Sequence, residues 1–319
     1  MKIAVLDGHV LNPGDLSWAG LEALGETRIY ERSEPGEVVE RIGDAQAIII
    51  NKVSITGELL AKCPALRYVG VTATGYNTVD TEAARARGIV VTNVPAYSTD
   101  AVAQLVFAFL LEICHHVGEH SRQVHEGAWC RSRDFSFWSY PLMELRGKTL
   151  GIIGYGSIGR RVAELAGAFG MKVLYYRRSP RREEDTPERR WAPLEELYGT
   201  ADIISLHCPL TEETKGLIGG KALSAMRRGV ILINTARGPV VDEAALAAAL
   251  ASGQVAWAAA DVVSVEPMRP DNPLLGAPNC LITPHFAAFP IETRRRLLEQ
   301  TVENLAAWRT GRPINVVSG

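Results

Sequence analysis

The sequence predicts an α/β protein of two doubly wound, Rossmann-like domains, each a parallel sheet flanked by helices. Short β-branched runs alternate with helical patterns along the chain, as in successive βαβ units. The alternation runs twice, on either side of one long apolar stretch. At 319 residues the chain exceeds one ordinary hydrophobic core and suits two domains of about 100 to 200 residues each.

The first series has strand patterns at residues 2–6 (KIAVL), 27–30, 47–50 (AIII), 66–70 and 89–92. Helical patterns such as SITGELLAKC and NTVDTEAARARG lie between them. Residues 99–125 then read as one long helix capped by Ser98 or Thr99. Its middle is apolar almost all round, the mark of a helix buried between domains. An irregular aromatic stretch, GAWCRSRDFSFWSYP, follows. The second series has strands at 148–154, 172–176, 202–207, 229–235, 255–260 and 279–283, with helices at Ser157–Phe169, Lys221–Met226 and Asp242–Ala251. The last helical pattern, Ile291 to Arg309, exceeds what the second sheet needs and is expected to return to the first domain. The expected domains are therefore 1–98 plus 287–319, and 99–286.

Lys plus Arg (34) balance Asp plus Glu (36), so no basic surface calls for nucleic acid or an anionic membrane. Five cysteines, an odd number with no CxxC pair, read as reduced thiols rather than a disulfide framework or metal site. MKIAVLDG is a first strand and not a signal peptide, because its apolar run stops at Asp7. No apolar run reaches the roughly 18 residues that span a bilayer. A cytoplasmic protein with no metal, membrane or nucleic-acid partner is the expectation.

The strand KTLGII leads directly into Gly154-Tyr155-Gly156-Ser157-Ile158-Gly159 and a helix. In that context the first glycine permits a tight turn, the second lets backbone approach a pyrophosphate, and the third lets helix and strand pack closely. The helix N-terminus at Ser157 and Ile158 then offers N–H groups to phosphate. The acid that normally follows the second strand, to bind the ribose hydroxyl of NAD, is absent. Arg177, Arg178 and Ser179 stand there instead. Guanidinium forks and a hydroxyl suit a 2′-phosphate, which predicts NADP(H) as preferred cofactor with NAD(H) possible; the alternative is a solvated turn pairing with Glu183, Glu184 and Asp185.

Arg237, Glu266 and His285 each follow a strand of the second series, so they converge where open α/β sheets bind ligands. A 2-oxo acid needs a cation for its carboxylate and carbonyl, which Arg237 supplies, and a proton donor near neutral pH, which His285 supplies. Glu266 would orient the imidazole. Asp261, at its strand end, could accept from the nicotinamide carboxamide. The expected reaction is hydride transfer between a nicotinamide dinucleotide and a small 2-oxo/2-hydroxy acid.

Those residues sit within ATGYNTVD (73–80), NVPAYSTDAVAQLV (93–106), GKTLGIIGYGSIG (147–159), HCPLTEET (207–214), INTARGPVVDEAAL (233–246), ADVVSVEP (260–267) and TPH (283–285). In this order, and over nearly the whole length, they resemble the D-isomer-specific 2-hydroxyacid dehydrogenases. LNPGDLSW, ATGYN and FSFW most resemble the subgroup of glycerate dehydrogenases, or hydroxypyruvate (glyoxylate) reductases. The resemblance implies Arg237 as substrate anchor, Glu266 as partner and His285 as proton donor and acceptor. It implies a cofactor site lined by Thr99, Tyr155, Gly156, Ser157, Ile158, His207, Cys208, Pro209, Thr214, Thr235, Ala236, Asp261 and Ala287, beside the Arg177, Arg178 and Ser179 read from the end of the second strand. Substrate is expected at Val53, Thr74 and Gly75, in a flavodoxin-like substrate-binding domain. The cofactor and substrate are then expected in the cleft between the two domains, with hinges near 95–100 and 285–290. Ala287, where many members have Gly, Gln104, where many have Glu, and Arg177, in place of the NAD-type Asp, depart from the pattern.

The resemblance also implies a homodimer built on the long helix and the loop after it. Phe135, Phe137, Trp138 and Tyr140 crowd that loop, and aromatics concentrate at interface cores; Trp138 is expected to reach a neighbouring subunit's active site, the alternative being a self-packed aromatic cluster. Other readings are a larger 2-oxo acid or phosphite as substrate, or a dinucleotide-sensing, corepressor-like binding protein. The last would tolerate loss of Arg237, Glu266 and His285, all of which are present.

Overall fold

The computed structural model describes residues 1–318. The chain divides into two compact units, one of Met1–Ser98 with the segment from Ala288 onward, the other Thr99–Ala287.

The first unit holds β1 (Lys2–Val5), β2 (Glu26–Ile29), β3 (Ala47–Ile50), β4 (Tyr68–Val71) and β5 (Val90–Thr92), all parallel in the order β2-β1-β3-β4-β5. The central strands β3 and β4 are buried at every position, whereas edge strand β2 is largely exposed. This is the pattern of a parallel sheet covered on both faces. Alternation along β1 sends Ala4 into one core with Ile48, Ile50, Val69 and Val71, and Ile3 and Val5 into the other with Ile49 and Tyr68. Leu297, Leu298 and Leu305 of the helix Ile291–Arg309 complete the second core. The same helix fixes itself by Arg294, whose guanidinium donates to both oxygens of Asp15 at 2.6 Å, and by Asn304, whose amide donates to the Asn93 carbonyl at 2.9 Å.

The second unit holds β6 (Thr149–Ile153), β7 (Lys172–Tyr176), β8 (Arg189–Trp191), β9 (Ile203–Leu206), β10 (Val230–Asn234), β11 (Val255–Ala260) and β12 (Cys280–Ile282). They form one parallel sheet in the order β12-β11-β10-β9-β6-β7-β8. The order reverses between β6 and β9, which makes the carboxyl ends of these two strands the switch point where doubly wound sheets bind ligands. Strand β8 is absent from the sequence reading because Arg-Arg-Trp carries no apolar run; pairing with β7 creates it.

Two expectations need correction. The stretch 99–125 is two helices, Thr99–His115 and Val117–His125, bent by 53°. The break is at His116, in the left-handed region at φ 48°, its ring against Tyr140 and Trp257 at 4.5 and 5.0 Å. The first helix is buried on most sides and the second has no buried residue, so the chain turns where its apolar character ends. The boundary expected between 286 and 287 falls one residue later. Ala287 stays with the second unit, its N–H donating to the buried Asp261 carboxylate at 2.9 Å. Among the described residues no single helix is long and apolar enough to cross a membrane.

Candidate active site

β6 ends at Ile153 and the chain turns at Gly154, φ 100°. A Cβ there would stand 2.4 Å from the Cys208 nitrogen and 2.6 Å from the His207 carbonyl oxygen, so the turn and the approach of the chain leaving β9 both require glycine. At Gly159 a Cβ would meet the Gly154 carbonyl oxygen at 2.3 Å, whereas at Gly156 it would meet nothing within 4 Å. The first and third glycines therefore serve packing, and the second borders open space. No side chain caps the helix Ser157–Ala168, leaving its first-turn N–H groups at Ser157 and Ile158 suited to an anion.

Two orphaned polar atoms lie at neighbouring strand ends. His207 Nδ1 and Thr235 Oγ1 are buried without a hydrogen-bond partner, each one residue past the paired Leu206 of β9 and Asn234 of β10. Such groups are rare in native structures unless a ligand satisfies them. His207 Nε2 meets the Ser205 hydroxyl at 2.8 Å, and burial pushes the imidazole down to about 3, so it is neutral at physiological pH. A void at the middle glycine, an uncapped helix and unpartnered groups at the switch point together fit a dinucleotide.

The other expected cofactor positions are distributed around these. Thr99 opens its helix, and Ala236 is buried with its N–H on the Asn234 side chain at 3.0 Å. The Thr214 hydroxyl donates to the Pro209 carbonyl (2.6 Å) and accepts from the Thr211 N–H (2.8 Å), closing the turn 209–214. Cys208 is buried, and burial pushes its thiol up. The Tyr155 ring faces the core, stacked on Tyr175 at 3.9 Å, so only its backbone belongs to the loop.

After β7, the Arg177 guanidinium lies 3.4 Å from Glu184 Oε1, and Arg178 donates to Glu213 at 3.2 Å. Of the nearby acids, Glu184 gathers the cations: Arg160 binds it through two nitrogens at 2.9 and 3.2 Å, and Arg181 stands 3.9 Å away. Asp185 instead accepts from the Tyr175 hydroxyl and the Trp191 N–H. Arg160 was not anticipated, because it lies one residue past the glycine motif and only the fold carries it to the far end of the next strand.

Arg237, Glu266 and His285 follow β10, β11 and β12. Glu266 Oε2 lies 2.6 Å from His285 Nδ1, and Glu266 Oε1 accepts from the Val263 N–H at 3.2 Å. The carboxylate thereby fixes the imidazole through one nitrogen and leaves Nε2 as the other proton-bearing position. Arg237 is exposed; its Nη1 donates to the Ala236 carbonyl at 2.7 Å, and its own carbonyl accepts from Asn234 at 3.1 Å. A Cβ on Gly238 would stand 1.9 Å from the Val263 carbonyl carbon, so glycine there seats the Arg237 turn against the segment leading to Glu266.

His285 adopts φ 53°, a region costly for a residue with a side chain. Asp261, 1% exposed, holds it there: Oδ1 accepts from the Thr283 hydroxyl (2.6 Å) and the Phe286 N–H (3.0 Å), and Oδ2 from the Ala287 N–H (2.9 Å). Its hydrogen bonds thus bracket His285 on both sides, a role that motif and spacing do not reveal.

In the first unit, Val53 follows β3, and Thr74 and Gly75 follow β4. Buried Asp7, at the end of β1, accepts from the N–H groups of Asn51 (2.8 Å), Lys52 and Val53 (3.2 Å), shaping the turn that carries Val53. Burial raises its carboxyl above the ordinary range, against the pull of those N–H groups. The Thr74 hydroxyl donates to the Val94 carbonyl at 3.0 Å, and its own carbonyl accepts from Asn93 at 2.7 Å. Trp138 and Phe135, in the irregular segment of the second unit, are 67% and 91% exposed.

Residues 107–287 match the family described as D-isomer specific 2-hydroxyacid dehydrogenase, NAD binding domain. A hydroxypyruvate reductase of Blautia hydrogenotrophica is 50% identical over 321 residues, covering 100% of both chains. An NADPH-dependent glyoxylate/hydroxypyruvate reductase of Sinorhizobium meliloti, solved with NADP and malonate, superimposes with a TM-score of 0.83 at 33% identity, over 99% of this chain and 96% of its own. A D-lactate dehydrogenase of Aquifex aeolicus, solved with NAD and lactic acid, does so with a TM-score of 0.85 at 32% identity, over 100% and 99%. The chain belongs to the D-isomer-specific 2-hydroxyacid dehydrogenases, and it is an oxidoreductase working with a nicotinamide dinucleotide.

Proposed function

We propose that this enzyme is an NADP(H)-preferring reductase of small 2-oxo acids, converting hydroxypyruvate to D-glycerate and glyoxylate to glycolate. The observation that carries the reading is the 2.6 Å Glu266–His285 pair, set one strand away from Arg237. Substrate class follows the names of the relatives, a hydroxypyruvate reductase at half identity and an NADPH-dependent glyoxylate/hydroxypyruvate reductase among the solved structures.

The glycine loop and the N-terminus of the helix Ser157–Ala168 would hold the pyrophosphate of the dinucleotide, whose reduced nicotinamide would supply the hydride. Arg237 pairs with the substrate carboxylate and polarises its carbonyl. His285 gives its Nε2 proton to the carbonyl oxygen as the adjacent carbon is reduced, and Glu266 stabilises the imidazolium from which that proton leaves. In the reverse direction neutral His285 takes the hydroxyl proton. Val53, Thr74 and Gly75, which follow β3 and β4, are assigned to substrate in the first unit, and Asp261 positions the His285 loop of the second. Arg177, Arg178 and Ser179, in place of the acid typical of NAD sites, support the preference for a 2′-phosphate. Exposed Phe135 and Trp138 support a homodimer formed through their segment.

An initial-rate panel of hydroxypyruvate, glyoxylate, pyruvate and 2-oxoisocaproate, each with NADPH and NADH, tests the proposal. The two small acids with NADPH are expected to give the highest kcat/KM. A preference for 2-oxoisocaproate would refute the substrate assignment, and equal efficiency with both cofactors would refute the NADP(H) preference.

A further inference from the structure

The arginines that follow the glycine loop and β7 already hold an anion, and it belongs to the protein. Glu184 sits on a short turn, Arg182–Glu184, and its side chain is only 21% exposed. Arg160 grips both of its oxygens, Arg177 lies at 3.4 Å and Arg181 at 3.9 Å. These contacts hold the Glu184 carboxyl below its ordinary range, the Arg160 hydrogen bond foremost. The turn is itself tied down: Arg189 donates to the Glu184 carbonyl at 3.1 Å, and the Tyr175 hydroxyl donates to the Arg181 carbonyl at 2.9 Å. Arg177 is anchored through its carbonyl, which accepts from the Trp191 indole at 3.1 Å. The carboxylate is thus placed by the fold and not by a freely swinging side chain.

We propose that Glu184 is a specificity-determining residue, an internal counter-ion that competes with the 2′-phosphate of NADP(H) for Arg160 and Arg177 and so restrains the preference over NAD(H). The inference rests on the assignment of Arg177 to that phosphate. Three guanidinium groups around one carboxylate leave an excess of two positive charges, which matches a phosphate monoester of about −1.5 to −2 at neutral pH. The phosphate must then share N–H donors with Glu184 or displace it, and either arrangement sets two anions side by side. NAD(H) brings hydroxyls to the same place and suffers no such repulsion. The acid missing from the end of β7 is thereby returned to the arginine cluster by the next turn of chain, at the cost of phosphate affinity.

Glu184→Gln keeps the size and one acceptor and removes the charge. Titration of purified wild type and variant with NADPH and NADH, followed by quenching of tryptophan fluorescence, is expected to lower the Kd for NADPH by about tenfold (~1.4 kcal/mol) and to leave that for NADH within about twofold. Unchanged or weaker NADPH binding in the folded variant overturns the proposal, weaker binding meaning that Glu184 instead pre-orients the arginines. Arg177→Ala separates the two levels. If it weakens NADPH alone while Glu184→Gln does nothing, the counter-ion role fails and the phosphate assignment stands. If it leaves both cofactors unaffected, the phosphate assignment falls and takes the counter-ion role with it.

Discussion

Replacing Asp261 by Asn isolates the group that holds the histidine loop. The carboxylate accepts three hydrogen bonds, from Thr283 Oγ1, Phe286 N and Ala287 N, at 2.6, 3.0 and 2.9 Å. An amide keeps one oxygen. If that oxygen takes the place of Oδ1, the amide nitrogen faces the Ala287 N–H, and in the other orientation it faces the Phe286 N–H. One charge-assisted bond is lost and two buried donors are opposed, a destabilisation of roughly 2–4 kcal/mol. His285, at φ 53° between those anchors, then relaxes from its place. A displacement of about 1 Å at a reacting group costs on the order of 10²-fold in rate. The expectation is a kcat for hydroxypyruvate reduced about 30- to 100-fold, a urea midpoint shifted down, and a dinucleotide Kd within about threefold of wild type. Stopped-flow turnover at saturating substrates, urea unfolding and fluorescence titration measure the three. A kcat unchanged in the folded variant would refute the positioning role. A large rise in cofactor Kd with kcat preserved would show that the carboxylate serves the nicotinamide instead.

The glycine loop makes a contrast between neighbours. Gly156→Ala, whose Cβ meets nothing within 4 Å, should leave Tm near wild type and weaken NADPH binding at least about tenfold by filling the pyrophosphate's approach. Gly154→Ala, at φ 100° and 2.4 Å from Cys208 N, should lower Tm itself; a Gly156→Ala variant that binds normally would rule out phosphate contact at that glycine. His207 sets an acid limit. Its imidazole lies at about 3 when folded against 6.5 for the free group, so the unfolded chain binds the extra proton, and stability falls as pH drops from about 6.5 toward 3, by at most ~1.4 kcal/mol per pH unit. Urea midpoints at pH 6.5 and 4.5 should differ less in His207→Asn than in wild type, and an equal difference would exclude His207 as a source of the loss.

Sequence alone determined the two parallel sheets, the returning terminal helix, the glycine loop at the end of β6 and the position of Arg237, Glu266 and His285 just past three strands. Each rests on local information: periodicity sets strand or helix, glycine spacing sets a turn, and polar residues just past apolar strands must emerge at the sheet's carboxyl edge. The failures are equally physical. Strand β8 is Arg189–Trp191, whose composition argues against a strand, and only an open edge on β7 recruits it. The helix break at His116 depends on Tyr140 and Trp257, distant in sequence. Asp261 could be placed at a strand end from sequence, but that its oxygens bracket His285 depends on the register of β11 against β12. Arg160 and Glu184, 24 positions apart, meet because a helix and a turn return to the same end of the sheet. What sequence supplies is the type and order of elements. Which charges neutralise one another, and which buried groups remain for a cofactor, tertiary structure decides, because Coulombic and hydrogen-bond energies depend on distances that close only when the strands pair.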